Sequence, residues 1–150
     1  MRAGRASEWP ACGTFHIKEY EMDLTIGTKG TCQMTVGEAD TALAHGSGTL
    51  QVLATPAMAA LMERTAWQSI ADQLPEGSTT VGTSLQLSHM APTPVGATVT
   101  CESELVAQDR RSLTFEVAVF DEAGQVGKAT HQRFIVDAEP FFAKAQGRKA

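Results

Sequence analysis

The feature that most constrains the fold is a change in hydrophobic period near the middle of the chain. From Thr55 to Leu74, apolar residues recur at three- and four-residue steps, which is the period of one helix face. Beyond residue 78 they alternate with polar residues, which is the period of a strand with one buried face. These patterns predict an α+β domain in which an antiparallel sheet buries one face against a single long helix.

Local signals predict the two ends of this helix. A hydroxyl at the N-cap accepts a hydrogen bond from a free backbone N–H, and proline at the next position has no N–H to lose, so Thr55 and Pro56 predict the start. Pro75 and Gly77 predict the end at Leu74, since neither residue continues a helix well. The helix is rich in alanine, so another element can approach its axis closely.

Five strands are predicted around this helix. One precedes it and four follow it, at residues 28–36, 79–89, 97–105, 113–119 and 126–136. Links of mostly hairpin length predict that the four later strands form an antiparallel meander. In the strand at 79–89, alternation predicts that Val81 and His89 face the helix and that Gly82 lies on the other face.

Length and charge limit the possible functions. A chain of 150 residues has the usual size of one domain, and its net charge of −5 argues against nucleic acid or anionic membranes as partners. No stretch resembles a transmembrane helix or a secretory signal, so we expect a cytoplasmic protein. We place the domain at 21–138, with a poorly ordered N-terminal extension at 1–20 and a C-terminal tail at 139–150.

Cysteine and histidine spacing indicates neither a disulfide framework nor a metal site. Cys12, Cys32 and Cys101 are odd in number and widely spaced, so we expect reduced thiols, none of them a nucleophile, with Cys101 in the core. The histidines show no H-x-H or H-x-x-x-H spacing, and we therefore expect no metal.

Three polar residues on the helix and the following strand are candidates for chemistry. His89 closes an apolar strand face, where it is either a structural histidine or, beside a carboxylate, a general base. Glu63 is the available carboxylate, although a solvated surface glutamate explains it equally well. Thr55 is explained as an N-cap, and the same position places its hydroxyl at the positive end of the helix dipole, where an oxyanion is stabilised. Gly82 lets a ligand approach the strand closely, or marks a bulge.

The spacing of these residues predicts that one chain holds only part of the site. Thr55 and Glu63 are eight residues apart, which is roughly 12 Å along a helix axis. We therefore hypothesise that the site forms across a two-fold dimer.

Basic residues predict an anion site. Arg133, on the last strand, is suited to hold a phosphate or carboxylate, with Arg110, Arg111 and Lys128 adding to a local cluster. His131 shares its strand face. For all of these residues except Arg133, ordinary surface charge is the favoured interpretation.

Three segments together resemble a known family. VLATPAMAALMERTA, TTVGTSLQLSHMAPTPVGATV and GKATHQRFIV are similar to the fluoroacetyl-CoA thioesterase-like branch of the hotdog acyl-CoA thioesterases, and the resemblance extends over 28–137. It implies a hotdog fold, in which a five-stranded antiparallel sheet wraps one long central helix. It also implies hydrolysis of an acyl-CoA to a free acid and CoA by a homodimer or a dimer of dimers, without a metal or other cofactor.

The resemblance also implies roles for individual residues. Thr55, Glu63 and His89 match the catalytic trio, while Gly82 and Arg133 match substrate-binding positions. His89 is expected to act as the base and Glu63 to orient it, with Thr55 as the nucleophile or as a hydroxyl that polarises the carbonyl. The lead-in HGSGTLQVLATP has no aromatic residue to close over a short acyl group, so specificity for a fluorinated two-carbon chain does not follow.

Two alternative functions compete with this interpretation. An acyl-CoA-binding hotdog domain without catalysis would need a regulatory partner or a DNA-binding module, and the sequence shows no sign of either. An enoyl-thioester hydratase of this fold has a D-x-N-P-x-H pattern, which is missing here.

Overall fold

A computed structural model describes residues 23–149, so the predicted extension at 1–20 and Cys12 lie outside the described residues. Within 23–149 there are five strands and three α-helices. The strands are β1 (Lys29–Thr35), β2 (Ser78–His89), β3 (Thr98–Asp109), β4 (Ser112–Asp121) and β5 (Gly124–Asp137). The helices are α1 (Ala42–His45), α2 (Thr55–Ile70) and α3 (Ala138–Gln146).

The long helix is confirmed, but the predicted capping role of Thr55 is wrong. A 3-10 turn over Ala71–Gln73 follows α2 and brings the helical segment to the predicted end. The N-cap is Ala54, and no side chain caps the helix. Thr55 lies in the first helical turn, where its hydroxyl is held by His89 on β2 rather than by the helix backbone.

The sheet is antiparallel, with the strand order β1-β3-β4-β5-β2. The predicted meander is confirmed for β3, β4 and β5, but it is wrong for β2. This strand pairs with β5, at the opposite edge of the sheet from β1. The link from β2 to β3 contains Pro92 and Pro94 rather than a tight turn, and it bonds to the segment that leads into α2 through Leu53 N–H and Thr93 O at 2.8 Å.

A β-bulge in β2 changes which residues face the helix. The pairing with β5 shifts between Gly82 and Ser84, so Thr83 is an extra residue. Gly82 therefore faces α2, whereas Val81 packs with Phe134 on the opposite face of the sheet. The prediction for these two residues is wrong because a strict period of two does not continue through a bulge.

The core lies between α2 and the concave face of the sheet. The helix buries seven residues there, namely Ala57, Met58, Leu61, Met62, Thr65, Ala66 and Ile70. Cys101 is also fully buried, as predicted, and burial raises the pKa of its thiol to about 11. A thiol with this pKa stays protonated near neutral pH and is a poor nucleophile.

The segment predicted as a tail contains a helix. In α3, Phe141 packs against Val81, Phe134 and Val136, so the helix covers part of the outer face of the sheet. None of the helices over residues 23–149 has the length and apolar character needed to cross a membrane.

Candidate active site

Thr55 and His89 form a pair at the start of α2. The helix brings Thr55 to the end of β2, where its Oγ1 lies 2.8 Å from His89 Nδ1. Thr55 is an exposed residue. The other ring nitrogen of His89, Nε2, is buried and has no hydrogen-bond partner within the described residues. A hydroxyl that is hydrogen-bonded to an imidazole in this way has the geometry of an activated nucleophile.

The surroundings of His89 keep its ring neutral. Desolvation by burial lowers the pKa of His89 from its ordinary value, and a backbone group of Ala91 partly offsets this effect. A neutral imidazole has one free nitrogen lone pair to accept a proton. The ring is therefore in the protonation state that a general base needs near neutral pH.

Glu63 lies about two helical turns further along α2, and its partner is Arg133 on β5. Arg133 Nη1 is 3.3 Å from Glu63 Oε2. The carboxylate side chain is 45% exposed, whereas the side chain of Arg133 is 7% exposed. Desolvation lowers the pKa of Arg133, an effect that the adjacent Glu63 carboxylate opposes. Arg133 therefore holds a half-exposed carboxylate from inside the protein.

The other two nitrogens of Arg133 also donate hydrogen bonds. Its Nε donates to Thr80 Oγ1 at 2.8 Å and its Nη2 to the Thr80 carbonyl at 3.0 Å. Its Nη1 lies 3.2 Å from Nε2 of His131, which is fully buried. Surface charge, the favoured sequence interpretation of His131, is therefore wrong, because β5 is an interior strand whose helix-facing residues lie beneath α2.

Gly82 makes room for the Glu63 carboxylate. A Cβ added at this position would overlap Glu63 Oε2 and would lie 3.2 Å from Arg133 Nη1. A side chain at residue 82 would thus displace the carboxylate from its place against the sheet. Glycine at residue 82 therefore leaves the space that the Glu63 carboxylate occupies.

The predicted cluster of Arg110, Arg111 and Arg133 is not a shared exposed patch in the single chain. Arg133 is buried beneath α2. Arg111 lies in the β3–β4 turn and donates from Nη1 to the Ile135 carbonyl at 3.1 Å. An open cleft of about 520 Å³ does reach Arg133, and it is lined by Ala60, Glu63, Arg64, Trp67, Gln68 and Arg133.

The single chain assembles the predicted site as two parts. One part is Thr55 with His89, and the other is Glu63 with Arg133 and Gly82. Glu63 is bonded to Arg133, so the predicted pairing of Glu63 with His89 is wrong within the single chain. Sequence reasoning missed Thr80, because the bulge reverses the apparent face of this part of β2. No group of three or more His, Cys, Asp or Glu side chains suited to a metal ion is found in residues 23–149.

A five-stranded antiparallel sheet around one long helix places the chain among proteins of the hotdog fold. A hot-dog-like protein from Thermanaerovibrio acidaminovorans superposes with a TM-score of 0.79 at 20% identity, over 89% of this chain and 98% of that one. The fluoroacetyl-CoA thioesterase FlK superposes with a TM-score of 0.80 at 28% identity, over 85% of this chain and 99% of that one. A variant of FlK in complex with acetyl-CoA gives a TM-score of 0.81 at 28% identity, over 85% of this chain and 100% of that one.

Sequence comparison narrows the class to one family. The family model described as fluoroacetyl-CoA-specific thioesterase matches residues 36–139. The fluoroacetyl-CoA thioesterase of Streptantibioticus cattleyicolor is 35% identical over 96 residues, which are 64% of this chain and 69% of that enzyme. The chain belongs to the fluoroacetyl-CoA-specific thioesterase family, and the predicted hotdog fold and family resemblance are confirmed.

Proposed function

We propose that this chain is an acyl-CoA thioesterase that hydrolyses a small acyl-CoA to the free acid and CoA, with Thr55 and His89 as the reacting pair. Family membership supports the reaction class. The observation that carries the assignment to these residues is the 2.8 Å contact between Thr55 Oγ1 and His89 Nδ1. The substrate supplies the thioester, so the reaction needs only water as a second reactant.

In the proposed reaction His89 acts as the general base. Its Nδ1 takes the proton of Thr55 as Oγ1 attacks the thioester carbonyl, and the new C–O bond replaces the C–S bond. The CoA thiolate leaves with the proton that His89 accepted. Water, deprotonated by the same imidazole, then hydrolyses the Thr55 ester to release the acid and restore the hydroxyl. The positive end of the α2 dipole, where Thr55 lies, would stabilise the oxyanion.

Attack by water is the second candidate mechanism, with Thr55 polarising the carbonyl. Mass spectrometry distinguishes the two after a rapidly quenched single turnover with excess enzyme. An acyl group on the peptide that contains Thr55, formed and lost at the rate of turnover, supports the covalent path. Turnover at full rate with no acyl-peptide at any time point supports attack by water.

We propose that Glu63 completes the site from a second subunit. Within residues 23–149, β2 pairs with β5 alone, so the other edge of this 12-residue strand offers backbone groups for pairing. Gly82 is the fifth residue of this strand and His89 the last. Two-fold antiparallel pairing of β2 with its copy would bring Gly82 and the adjacent Glu63 of one chain near the His89 of the other. This argument supports a homodimer, alone or within a dimer of dimers.

Mixed dimers test this arrangement. Thr55→Ala and Glu63→Ala chains, each inactive alone, are combined and their heterodimers are isolated with two affinity tags. One of the two sites in such a dimer is intact if Glu63 acts across the interface, so about half of the wild-type activity is expected. Absence of recovery in verified heterodimers contradicts a shared site.

A thiol-release assay tests the overall function. Wild type and His89→Ala are incubated with a panel of acyl-CoAs that differ in chain length and polarity, and CoA release and binding are measured separately. We expect hydrolysis of small acyl-CoAs by the wild type and its loss in the variant. Binding without hydrolysis at any chain length supports the alternative, an acyl-CoA-binding hotdog domain.

A cytoplasmic location is also part of the proposal. Cys32 and Cys101 lie directly opposite each other on β1 and β3, and in a reducing compartment two cysteines placed in this way stay as thiols. Cell fractionation with an antibody against the chain tests this location.

A further inference from the structure

His131 is a buried titratable residue that the proposed reaction does not use. It lies within β5, has no exposed surface, and packs beside the ring of Phe115 on β4, with 6.1 Å between the ring centroids. Both of its ring nitrogens have polar partners. Nδ1 is 2.8 Å from the Ser84 carbonyl on β2, and Nε2 is 3.2 Å from Nη1 of Arg133.

These two partners determine the tautomer of the ring. A carbonyl oxygen only accepts hydrogen bonds, so Nδ1 must carry a proton. A guanidinium group only donates them, so Nε2 must be unprotonated. Both contacts are satisfied only by a neutral imidazole with its proton on Nδ1.

The charges around the ring also favour the neutral form. Desolvation is the largest cause that lowers the pKa of His131, and Arg133 on β5 lowers it further. Glu63 on α2 and the Ser84 carbonyl on β2 act in the opposite direction. Phe115 on β4 is uncharged.

The contact with His131 bears on Glu63 because both residues share one nitrogen of Arg133. Nη1 donates one hydrogen toward His131 Nε2 and the other to Glu63 Oε2 at 3.3 Å. Thr80 holds Nε and Nη2 of the same guanidinium. Together Thr80 and His131 fix the rigid donor fork on three of its nitrogens, and the remaining Nη1 hydrogen then points at the carboxylate.

We propose that His131 is a positioning residue: its unprotonated Nε2 orients Nη1 of Arg133 and, through it, sets the place of the Glu63 carboxylate. This inference rests on the proposed function only for the role of Glu63 in catalysis. The position of Arg133 does not depend on that role, so the positioning role of His131 and the catalytic role of Glu63 can fail separately.

Nitrogen NMR of the wild-type chain tests the tautomer directly. Imidazole 15N resonances distinguish a protonated from an unprotonated ring nitrogen, and His131 is assigned by replacing each of the other histidines with glutamine. We expect a neutral ring with the proton on Nδ1 that remains neutral below the ordinary histidine pKa of 6.5. A proton on Nε2, or titration at the ordinary value, overturns the proposal whether or not the chain hydrolyses any acyl-CoA.

A double-mutant cycle tests the link to Glu63. The variants are His131→Leu, which removes the acceptor, and His131→Gln, whose amide oxygen can accept from Arg133 in place of Nε2. We expect kcat to fall about tenfold in the leucine variant, a coupling typical of residues in one hydrogen-bond network, and to recover in large part in the glutamine variant. In a Glu63→Gln background, His131→Leu should cause no further loss of kcat.

Other outcomes of the cycle contradict the proposal. Equal and independent losses in the two backgrounds mean that His131 contributes only to general packing. Full activity in the folded leucine variant means that it positions nothing. If His131→Leu does not fold, His131→Gln is compared with wild type in the same two backgrounds. A loss of kcat in His131→Gln that is equally large in the wild-type and Glu63→Gln backgrounds contradicts the proposal, because the hydrogen-bond acceptor is still present in that variant.

Discussion

Two polar clusters lie along α2, and they differ in how completely their hydrogen bonds are satisfied. Thr55 and His89 share a single 2.8 Å contact, and within residues 23–149 the buried Nε2 of His89 has no partner. Arg133, in contrast, is buried and donates to Thr80, His131 and Glu63. The first cluster is open and incomplete, and the second is enclosed and largely satisfied.

This difference separates reacting from positioning. Nδ1 of His89 is bonded only to the Thr55 hydroxyl, so it can accept that proton during the reaction without first breaking other hydrogen bonds. A buried network with most of its hydrogen bonds made resists rearrangement, because each broken bond leaves a desolvated polar group unpaired. We therefore expect substitutions of Thr55 and His89 to act on the chemical step, and substitutions of the residues that hold Glu63, such as Thr80 and His131, to act on its placement and on stability.

The largest effect is expected at His89. His89→Gln removes the general base, and kcat should fall by about 10³-fold, within the range of general base catalysis. Steady-state kinetics on the best acyl-CoA of the panel provide the measurement. His45→Gln, at an exposed histidine in α1, is the matched control and should keep wild-type kcat. A His89→Gln variant that is folded and active within threefold of wild type would break the distinction between the clusters.

A smaller loss is expected at Gly82. The Cβ of Gly82→Ala would overlap the Glu63 carboxylate, and a shift of about 1 Å in a catalytic group can lower the rate by about 10²-fold. Kinetics are measured for Gly82→Ala, Glu63→Gln and the double variant. If alanine acts by moving the carboxylate, the double variant is no slower than Glu63→Gln alone. Additive losses show instead that Gly82 contacts the substrate.

At Thr80 the expected effect is mainly on stability. Thr80→Val preserves shape but removes the acceptor of the Arg133 Nε–H, so the free energy of unfolding should fall by about 1–3 kcal/mol. Urea unfolding at fixed protein concentration measures it. The control is Thr79→Val at an exposed neighbouring position, where a change within about 0.5 kcal/mol is expected. A loss of kcat as large as that of His89→Gln would show that Thr80 takes part in the chemistry and not only in holding Arg133.

The smallest effect is expected in the pH dependence of stability. Burial lowers the pKa of both His89 and His131 from 6.5. Below this pH the unfolded chain binds more protons than the folded one, so the free energy of unfolding falls with falling pH, by at most about 1.4 kcal/mol per pH unit for each histidine. His131→Gln should have a shallower slope than wild type. Identical slopes in wild type and His131→Gln would contradict a buried neutral His131.

The order of elements and the buried face of α2 could be predicted from local patterns. Periodicity of 3.6 and proline signals depend on residues close in the chain, and the structure confirms the helix and the strands of the meander. The pairing of β2 with β5 could not be predicted, because it joins strands separated by two others in the sequence. The N-cap was misplaced because Thr55 bonds to a residue 34 positions away instead of to its own helix.

For the candidate site, the residues could be predicted from the sequence but their grouping could not. Thr55, Glu63, His89, Gly82 and Arg133 were named as candidates from the sequence, since residue type and motif spacing are local information. Their grouping was decided by the tertiary structure: the bulge after Gly82 turns this glycine toward the helix, and burial beneath α2 commits Arg133 to Glu63. The physical reason is that hydrogen bonds and desolvation depend on which groups meet in space, and distant strands meet only when the sheet closes around α2.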